Sequence, residues 1–134
     1  KLNSRQSSGS IRSILGRKCR FDLWEPDTFA MNKALPYKDA LNEHGPTTRL
    51  KRAYTYKALN RLIQASAADM TKQAMVDIHK LGITPLIQIH DEVAVSVSND
   101  DQVDSIVHAM ENAVKLGVPS KVDVEIGPSW GESK

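Results

Sequence analysis

Three consecutive polar residues, His90, Asp91 and Glu92, stand between two apolar runs and are the strongest candidates for chemistry in this chain. The runs Pro85–Ile89 and Val93–Val97 alternate β-branched or aliphatic residues with other types, which predicts two short strands that meet at the polar triplet. Carboxylates buried there without a cation would cost roughly several kcal/mol, so we expect a metal ion, an arginine or water beside them. The alternative is an exposed hairpin turn with no chemical role.

A second polar set lies on the segment from residue 55 to residue 72, which has the periodicity of an amphipathic helix. Read at about 100° per residue, one stripe carries polar and basic side chains. These are Lys57, Asn60, Arg61 and Gln64. The opposite side carries Leu59, Leu62, Ile63, Ser66 and Met70. Ala68 continues the polar stripe without filling the space in front of it, so a bulky ligand can lie close to this face.

Positive charge is concentrated in the first half of the chain, although the net charge is only +2. Residues 1–67 carry 13 Lys and Arg against 5 Asp and Glu, whereas residues 68–134 carry 5 against 11. No acidic residue precedes Asp22, and five basic residues without any acid occur between Arg49 and Gln64. Such blocks are often solvated faces, but one-sided charge is also the footprint of a phosphate-binding surface.

The order of predicted elements indicates an α+β fold in which an antiparallel sheet is backed by helices. Residues 1–23 form a basic N-terminal segment with a possible hairpin around Gly16. Residues 24–46 contain several prolines and short polar clusters, which predict an irregular excursion with a short helix near Lys38–Asn42.

Residues 47–134 carry the more regular patterns. A long helix is predicted from Thr47 or Thr48 to about Leu81, where Gly82 and a proline stop it. The His-Asp-Glu hairpin follows, and then a helix opened by a capping box of Asn99 and Gln102. Alternating apolar residues predict a terminal strand. These are Val122, Val124 and Ile126.

The single Cys19 excludes an internal disulfide, and no apolar run approaches the length of a signal or membrane segment. We therefore expect no membrane partner and an intracellular, cytoplasmic setting.

Three motifs resemble, in order and spacing, the C-terminal palm subdomain of family A DNA polymerases. They are NRLIQASAAD at Asn60–Asp69, IHDEV at Ile89–Val93 and GPSWG at Gly127–Gly131, and the resemblance extends from about Thr48 to the last residue. The stretch GRKCR at Gly16–Arg20 is similar to the glycine and basic strand that precede this helix in the family. The family usually has Gly where this chain has Ala65, which is a small-for-small change.

The resemblance implies a template-directed DNA polymerase that transfers nucleotides from dNTP to a primer 3′-hydroxyl by a two-metal mechanism, in replication or repair. It assigns Asp91 as a Mg²⁺ ligand and gives Glu92 a secondary catalytic role. His90 has three interpretations. It could contact the primer-terminal phosphate or sugar, as the resemblance implies. It could be a metal ligand, which is disfavoured because Mg²⁺ avoids imidazole, or a turn residue without a role.

For Asn60 and Gln64 the resemblance implies contact with primer–template DNA. Every Watson–Crick pair presents an acceptor in the minor groove, so an amide donor there senses pair geometry without reading sequence. Lys57 and Arg61 would contact the DNA backbone. Without the family pattern, the two amides are better explained as bridges between helices or as helix caps. The aromatic residues Tyr54, Tyr56 and Trp130 are interpreted as packing residues.

In this family the catalytic centre also uses an aspartate and a nucleotide-binding helix from upstream segments. We therefore expect the chain to be incomplete without an upstream polymerase fragment or the remainder of a longer chain, in a bacterial or virus-infected cell. Two other function classes are open. One is a DNA-binding module without catalysis. The other is a metal-dependent phosphohydrolase with a His-Asp doublet, although such a doublet belongs on a helix and its flanks here are strand-like.

Overall fold

The computed structural model describes residues 2–3 and 5–132 of the chain. It separates into two compact units, Lys1–Ser66 and Ala67–Lys134. The predicted α+β class is confirmed, since every strand pair in the described residues is antiparallel and α-helices accompany the strands. The strands form three small sheets rather than one. No helix in the described part of the chain is long and apolar enough to cross a membrane.

The first unit opens with a hairpin of two strands, β1 (Ser10–Arg12) and β2 (Lys18–Arg20). Backbone hydrogen bonds close its turn: the Ser13 amide donates to the Arg17 carbonyl over 2.9 Å, and the Gly16 amide donates to the Ser13 carbonyl over 2.9 Å. Gly16 has a φ of 88°, in the left-handed region where a residue without Cβ meets no steric penalty. This glycine therefore lets the basic segment reverse direction.

A three-stranded sheet follows, with β3 (Leu23–Pro26) between β4 (Leu35–Pro36) and β5 (Leu50–Arg52). Helix α1 (Tyr37–His44) comes directly after β4. Residues 24–46, which we expected to be irregular, therefore contain most of β3, all of β4 and a two-turn helix. Local patterns did not reveal these strands because they are short and their pairing partners lie far away in the sequence.

The core of this unit is built around Trp24, which is buried and meets the Tyr37 ring edge-on at a centroid distance of 5.1 Å. The Cζ atom of the buried Arg52 also lies over this ring, 4.4 Å from the centroid of Trp24. The Arg52 guanidinium donates to the Phe21 carbonyl over 2.7 Å and to the Ser7 carbonyl over 3.2 Å. One arginine thus links the N-terminal segment, the end of the hairpin and the sheet.

The long helix α2 spans Ala58–Lys80, so its predicted start at Thr47 or Thr48 is wrong. Residues 50–52 instead form β5, in which Arg52 pairs with Trp24 of β3. Tyr54 then takes a φ of 61° and a single 3-10 turn, Thr55–Lys57, leads into α2. Long-range sheet pairing overrides the local helical preference of this stretch.

The second unit packs a hairpin and a helix around a small aliphatic core. Strands β6 (Pro85–Ile89) and β7 (Glu92–Val95) pair antiparallel, and helix α3 spans Asp100–Asn112. The buried core residues are Ile78 of α2, Ile83 and Ile106 of α3. Half-buried side chains from β7, the segment that follows it and α3 pack against them. These are Val93, Val95, Val97, Ala109 and Met110.

The predicted cap of α3 is confirmed, whereas the predicted terminal strand is wrong. The Asn99 side chain accepts a hydrogen bond from the Gln102 amide over 3.0 Å, and the Gln102 side chain accepts one from the Ser98 amide over 2.7 Å.

Residues 113–129 form neither helix nor strand, and Val124 and Ile126 are exposed. Alternating residues become a strand only when a neighbouring strand offers backbone partners, and none pairs with this segment within the described residues.

Candidate functional site

The polar triplet lies at the tip of the β6–β7 hairpin. Ile89 pairs with Glu92, so His90 and Asp91 form a two-residue loop. His90 has a φ of 53°, and Asp91 is not among the residues with positive φ, a pattern typical of a type II′ turn. The Gln88 side-chain amide donates to the His90 carbonyl over 2.5 Å and holds the turn from one side. The doublet thus lies on a β-turn rather than on a helix, which disfavours the phosphohydrolase alternative.

All three triplet residues are exposed to solvent. Side chains alternate between the two faces of β7, and Val93 and Val95 pack against the core. The Glu92 side chain therefore lies on the opposite face, which is exposed to solvent. Water therefore solvates both carboxylates, and no buried counter-ion is needed. Within the described residues, no three Asp, Glu, His or Cys side chains converge on a point that could hold a metal ion. The hairpin tip offers oxygen ligands but not a complete metal site.

The polar stripe lies at the N-terminal end of α2, in the first unit. Asn60 and Gln64 are exposed on the helix, and Lys57 is exposed in the 3-10 turn just before it. Arg61 is half-buried: its Cζ lies 5.0 Å from the centroid of the Phe21 ring, and its guanidinium lies 3.9 Å from the Cys19 Sγ. The hairpin thus fixes one basic residue of the stripe while the two amides stay accessible.

The other side of this helix is less buried than an amphipathic pattern predicts. Leu59 is 68% exposed and Ile63 is 59% exposed, while Leu62 is half-buried. The apolar pattern alone could not show which of these side chains find a partner.

The basic β1–β2 hairpin lies against α2. The Ile14 amide in the hairpin turn donates to the Ser66 hydroxyl over 3.1 Å, and this hydroxyl donates to the Leu62 carbonyl over 2.7 Å. Four basic side chains of the hairpin are exposed. These are Arg12, Arg17, Lys18 and Arg20. The sequence pattern placed Ser66 on the apolar side of the helix and did not predict this hydrogen bond. The bond joins the acid-free N-terminal segment to the helix that carries Asn60 and Gln64.

Two tyrosines at the start of α2 are also exposed, which corrects their interpretation as packing residues. Tyr56 is 79% exposed and Tyr54 is 40% exposed. The Nζ of Lys57 lies 5.7 Å from the Tyr54 ring centroid and 5.6 Å from the Tyr56 ring centroid. Trp130, which we also interpreted as a packing residue, is 56% exposed in a short 3-10 turn.

Comparison with known proteins agrees with these features. The sequence model of a protein family, DNA polymerase family A, matches residues 2–132 of this chain. A DNA-directed DNA polymerase of Pseudomonas phage M6 is 40% identical over 125 residues, which cover 93% of this chain and 15% of the phage protein. DNA polymerase I of Mycobacterium leprae is 32% identical over 92% of this chain and 14% of its own length. DNA polymerase I of Geobacillus stearothermophilus is 37% identical over 58% of this chain and 10% of its own length.

The chain therefore belongs to DNA polymerase family A. It spans about one seventh or less of the length of these relatives.

Proposed function

We propose that this chain supplies part of the primer–template binding surface and one metal-binding carboxylate of a template-directed DNA polymerase. The observation that carries the proposal is the exposed His90-Asp91 turn on a two-residue hairpin, within a chain whose family match covers residues 2–132. Because the chain spans 10 to 15% of its relatives' lengths, the activity is proposed for a polymerase that contains this segment. Its substrates are dNTP and the 3′-hydroxyl of a primer, inside a bacterial or virus-infected cell.

The residues at the hairpin tip fit Mg²⁺ as a partial site. Mg²⁺ prefers oxygen ligands and usually takes one or two carboxylates from a protein, with phosphate and water completing its shell. Asp91 is proposed as the ligand because it lies in the turn and does not pair with a residue of the opposite strand. Glu92 lies at the first position of β7 and is proposed to tune the charge beside it. When bound, a pair of such ions stabilises the attacking and leaving oxygens of an in-line displacement.

The proposed DNA contacts divide into two kinds. Lys57 and Arg61 neutralise backbone phosphates, which positions the duplex without specifying its sequence. Asn60 and Gln64 donate amide hydrogens to minor-groove acceptors that every correct base pair presents. His90 is proposed to contact the primer-terminal phosphate or sugar, since its backbone conformation holds it at the tip of the hairpin next to Asp91. Lys57, Asn60, Gln64 and His90 are exposed, which supports contact with a large ligand.

The proposal is tested by binding of the purified chain to duplex DNA over a range of salt concentrations, together with primer extension. Each phosphate contact contributes about −0.9 to the slope of log affinity against log salt, so we expect weak binding without sequence preference and a shallow negative slope. Extension of a primer is expected only after addition of an upstream polymerase fragment. An affinity that does not change with salt would contradict the DNA-binding role, and extension by the chain alone would contradict the need for a further fragment.

A further inference from the structure

The segment that leads into α2 has a lysine close to two exposed aromatic rings. The Lys57 Nζ lies within 6 Å of both the Tyr54 and the Tyr56 ring centroids, the range in which a cation is attracted to an aromatic face. Tyr56 is the more exposed of the two rings, at 79%. None of the functions proposed above for the helix uses either tyrosine.

The backbone fixes this arrangement. Tyr54 has a φ of 61°, a conformation that is uncommon for a bulky residue and that turns the chain sharply after β5. Thr55 then begins the 3-10 turn, and its hydroxyl donates to the Asn3 side-chain oxygen over 2.5 Å. The two rings are therefore presented by a defined turn at the end of a strand and the start of a helix.

The charge around this turn is one-sided. No acidic residue occurs between Arg49 and Gln64, and the described part of the chain shows no ion pair for Lys57. An exposed aromatic ring offers a face for stacking, and an adjacent ammonium attracts a phosphate. Unpaired nucleotides present both groups together, whereas a paired base inside a duplex has its faces covered by its neighbours.

We propose that Tyr54, Tyr56 and Lys57 form a binding site for an unpaired nucleotide of single-stranded DNA, which we call the tyrosine platform. A base stacks on the Tyr56 ring, Lys57 contacts the neighbouring phosphate, and the Tyr54 ring also lies near the Lys57 ammonium. The site rests on the proposed DNA-polymerase function and adds to it a contact for the unpaired part of a primer–template. It differs in chemistry from the amide stripe of Asn60 and Gln64, which is suited to paired bases.

The test compares two single strands of equal charge. The full chain is titrated with an oligothymidine of about 12 nucleotides, a length within the range of single-strand binding sites, and with an abasic strand of the same length and phosphate number. We expect the oligothymidine to bind about fivefold or more tightly, which corresponds to the lower range of base–aromatic stacking. Tyr56→Leu should remove this difference and Tyr56→Phe should preserve it.

Phe29→Leu is the matched control, because Phe29 is a fully exposed aromatic residue of the same unit with no cation over its ring among the described contacts. This variant should bind both strands as the unmodified chain does. Lys57→Gln should make the salt slope shallower by about 0.7 for both strands, the value of one phosphate contact on single-stranded DNA.

The outcomes separate this inference from the function on which it rests. Equal affinity of the unmodified chain for the two strands, with a normal salt dependence, would overturn the tyrosine platform and leave the DNA-binding function intact. This comparison needs no variant and therefore does not depend on how a substitution affects folding. Absence of binding to single strands and to duplex DNA alike would overturn both. An equal loss of affinity in Tyr56→Leu and Tyr56→Phe would show that the aromatic ring is not the contact.

Discussion

A Cβ atom on Gly9 would lie 2.3 Å from the Cζ of Arg52, so the glycine leaves the space that the buried guanidinium occupies. Gly9 also has a φ of 56°, and its carbonyl accepts a hydrogen bond from the Phe21 amide over 2.8 Å. The same guanidinium stacks on Trp24. Through this pair of residues the N-terminal segment is fastened to the sheet from which α2 departs.

Gly9→Ala is expected to destabilise the fold by about 2–5 kcal/mol. It combines the cost of a side chain at positive φ, roughly 1–2 kcal/mol, with displacement of a hydrogen-bonded buried arginine, about 1–3 kcal/mol. Gly16→Ala is the control, because Gly16 also has positive φ but nothing lies within 4 Å of its Cβ position. Urea unfolding of both variants measures the difference. Equal losses would show that Arg52 moves aside without cost.

Gln64→Ala is expected to impair extension from matched primer ends more than it impairs retention of DNA. The substitution removes a proposed minor-groove donor, and leaving its partner unsatisfied costs roughly 1–3 kcal/mol. Asn60→Ala should have a similar but weaker effect. The measurement is single-turnover extension, from matched and mismatched ends, by a polymerase that contains this segment.

Gln73→Ala serves as the control for these amide variants. Gln73 lies on the same helix, but its side chain donates to the Asp77 carboxylate over 3.0 Å, so no DNA contact is expected of it. If Gln64→Ala and Gln73→Ala slowed extension alike, or if Gln64→Ala affected matched and mismatched ends equally, Gln64 would have only a structural role.

Substitutions of His90 separate its place in the turn from its proposed contact with the primer. His90→Asn should leave the free energy of unfolding within about 0.5 kcal/mol, because Asn is among the residues favoured at the positive-φ position of such a turn. His90→Val should lose roughly 1–2 kcal/mol, because a side chain at positive φ crowds the following carbonyl and a β-branched one does so most. Both substitutions should lower the rate of single-turnover primer extension by a polymerase that contains this segment, while urea unfolding measures their stability. Normal extension by a well-folded His90→Asn variant would leave His90 as a turn residue only.

Asp91→Asn is expected to abolish nucleotide transfer while leaving folding and DNA binding intact. The side chain is exposed, so an amide of the same shape fits the turn, but it no longer supplies a negative charge to Mg²⁺. Because metal-ion stabilisation of the transition state is worth several kcal/mol, the single-turnover rate at saturating Mg²⁺ should fall at least about 100-fold. Glu92→Gln should cost far less.

Asp104→Asn, at an exposed carboxylate on α3, controls for the loss of one negative charge in the same unit. It should extend primers at the normal rate. Thermal melts of all three variants accompany the rate measurements. A near-normal rate for Asp91→Asn would remove Asp91 as a metal ligand, and unfolding of that variant would make its role structural.

The features that sequence alone determined are those whose partners lie within a few residues. The turn at His90 and Asp91 follows from two alternating apolar runs that meet there. The cap of α3 follows from Asn99 and Gln102, three positions apart, whose hydrogen bonds are local. Local hydrogen bonds and side-chain periodicity suffice to specify such features, since no distant group competes for them.

Tertiary structure decided the features that depend on a distant partner. Residues 50–52 join a sheet because β3 offers them backbone partners 24 to 28 positions earlier in the chain. Val124 and Ile126 have an equally good strand pattern, but no strand pairs with them within the described residues. Arg52 is buried although arginine is usually exposed, and the aromatic ring of Tyr56 is largely exposed. Burial depends on which surfaces the folded chain brings together, and a local sequence pattern does not contain that information.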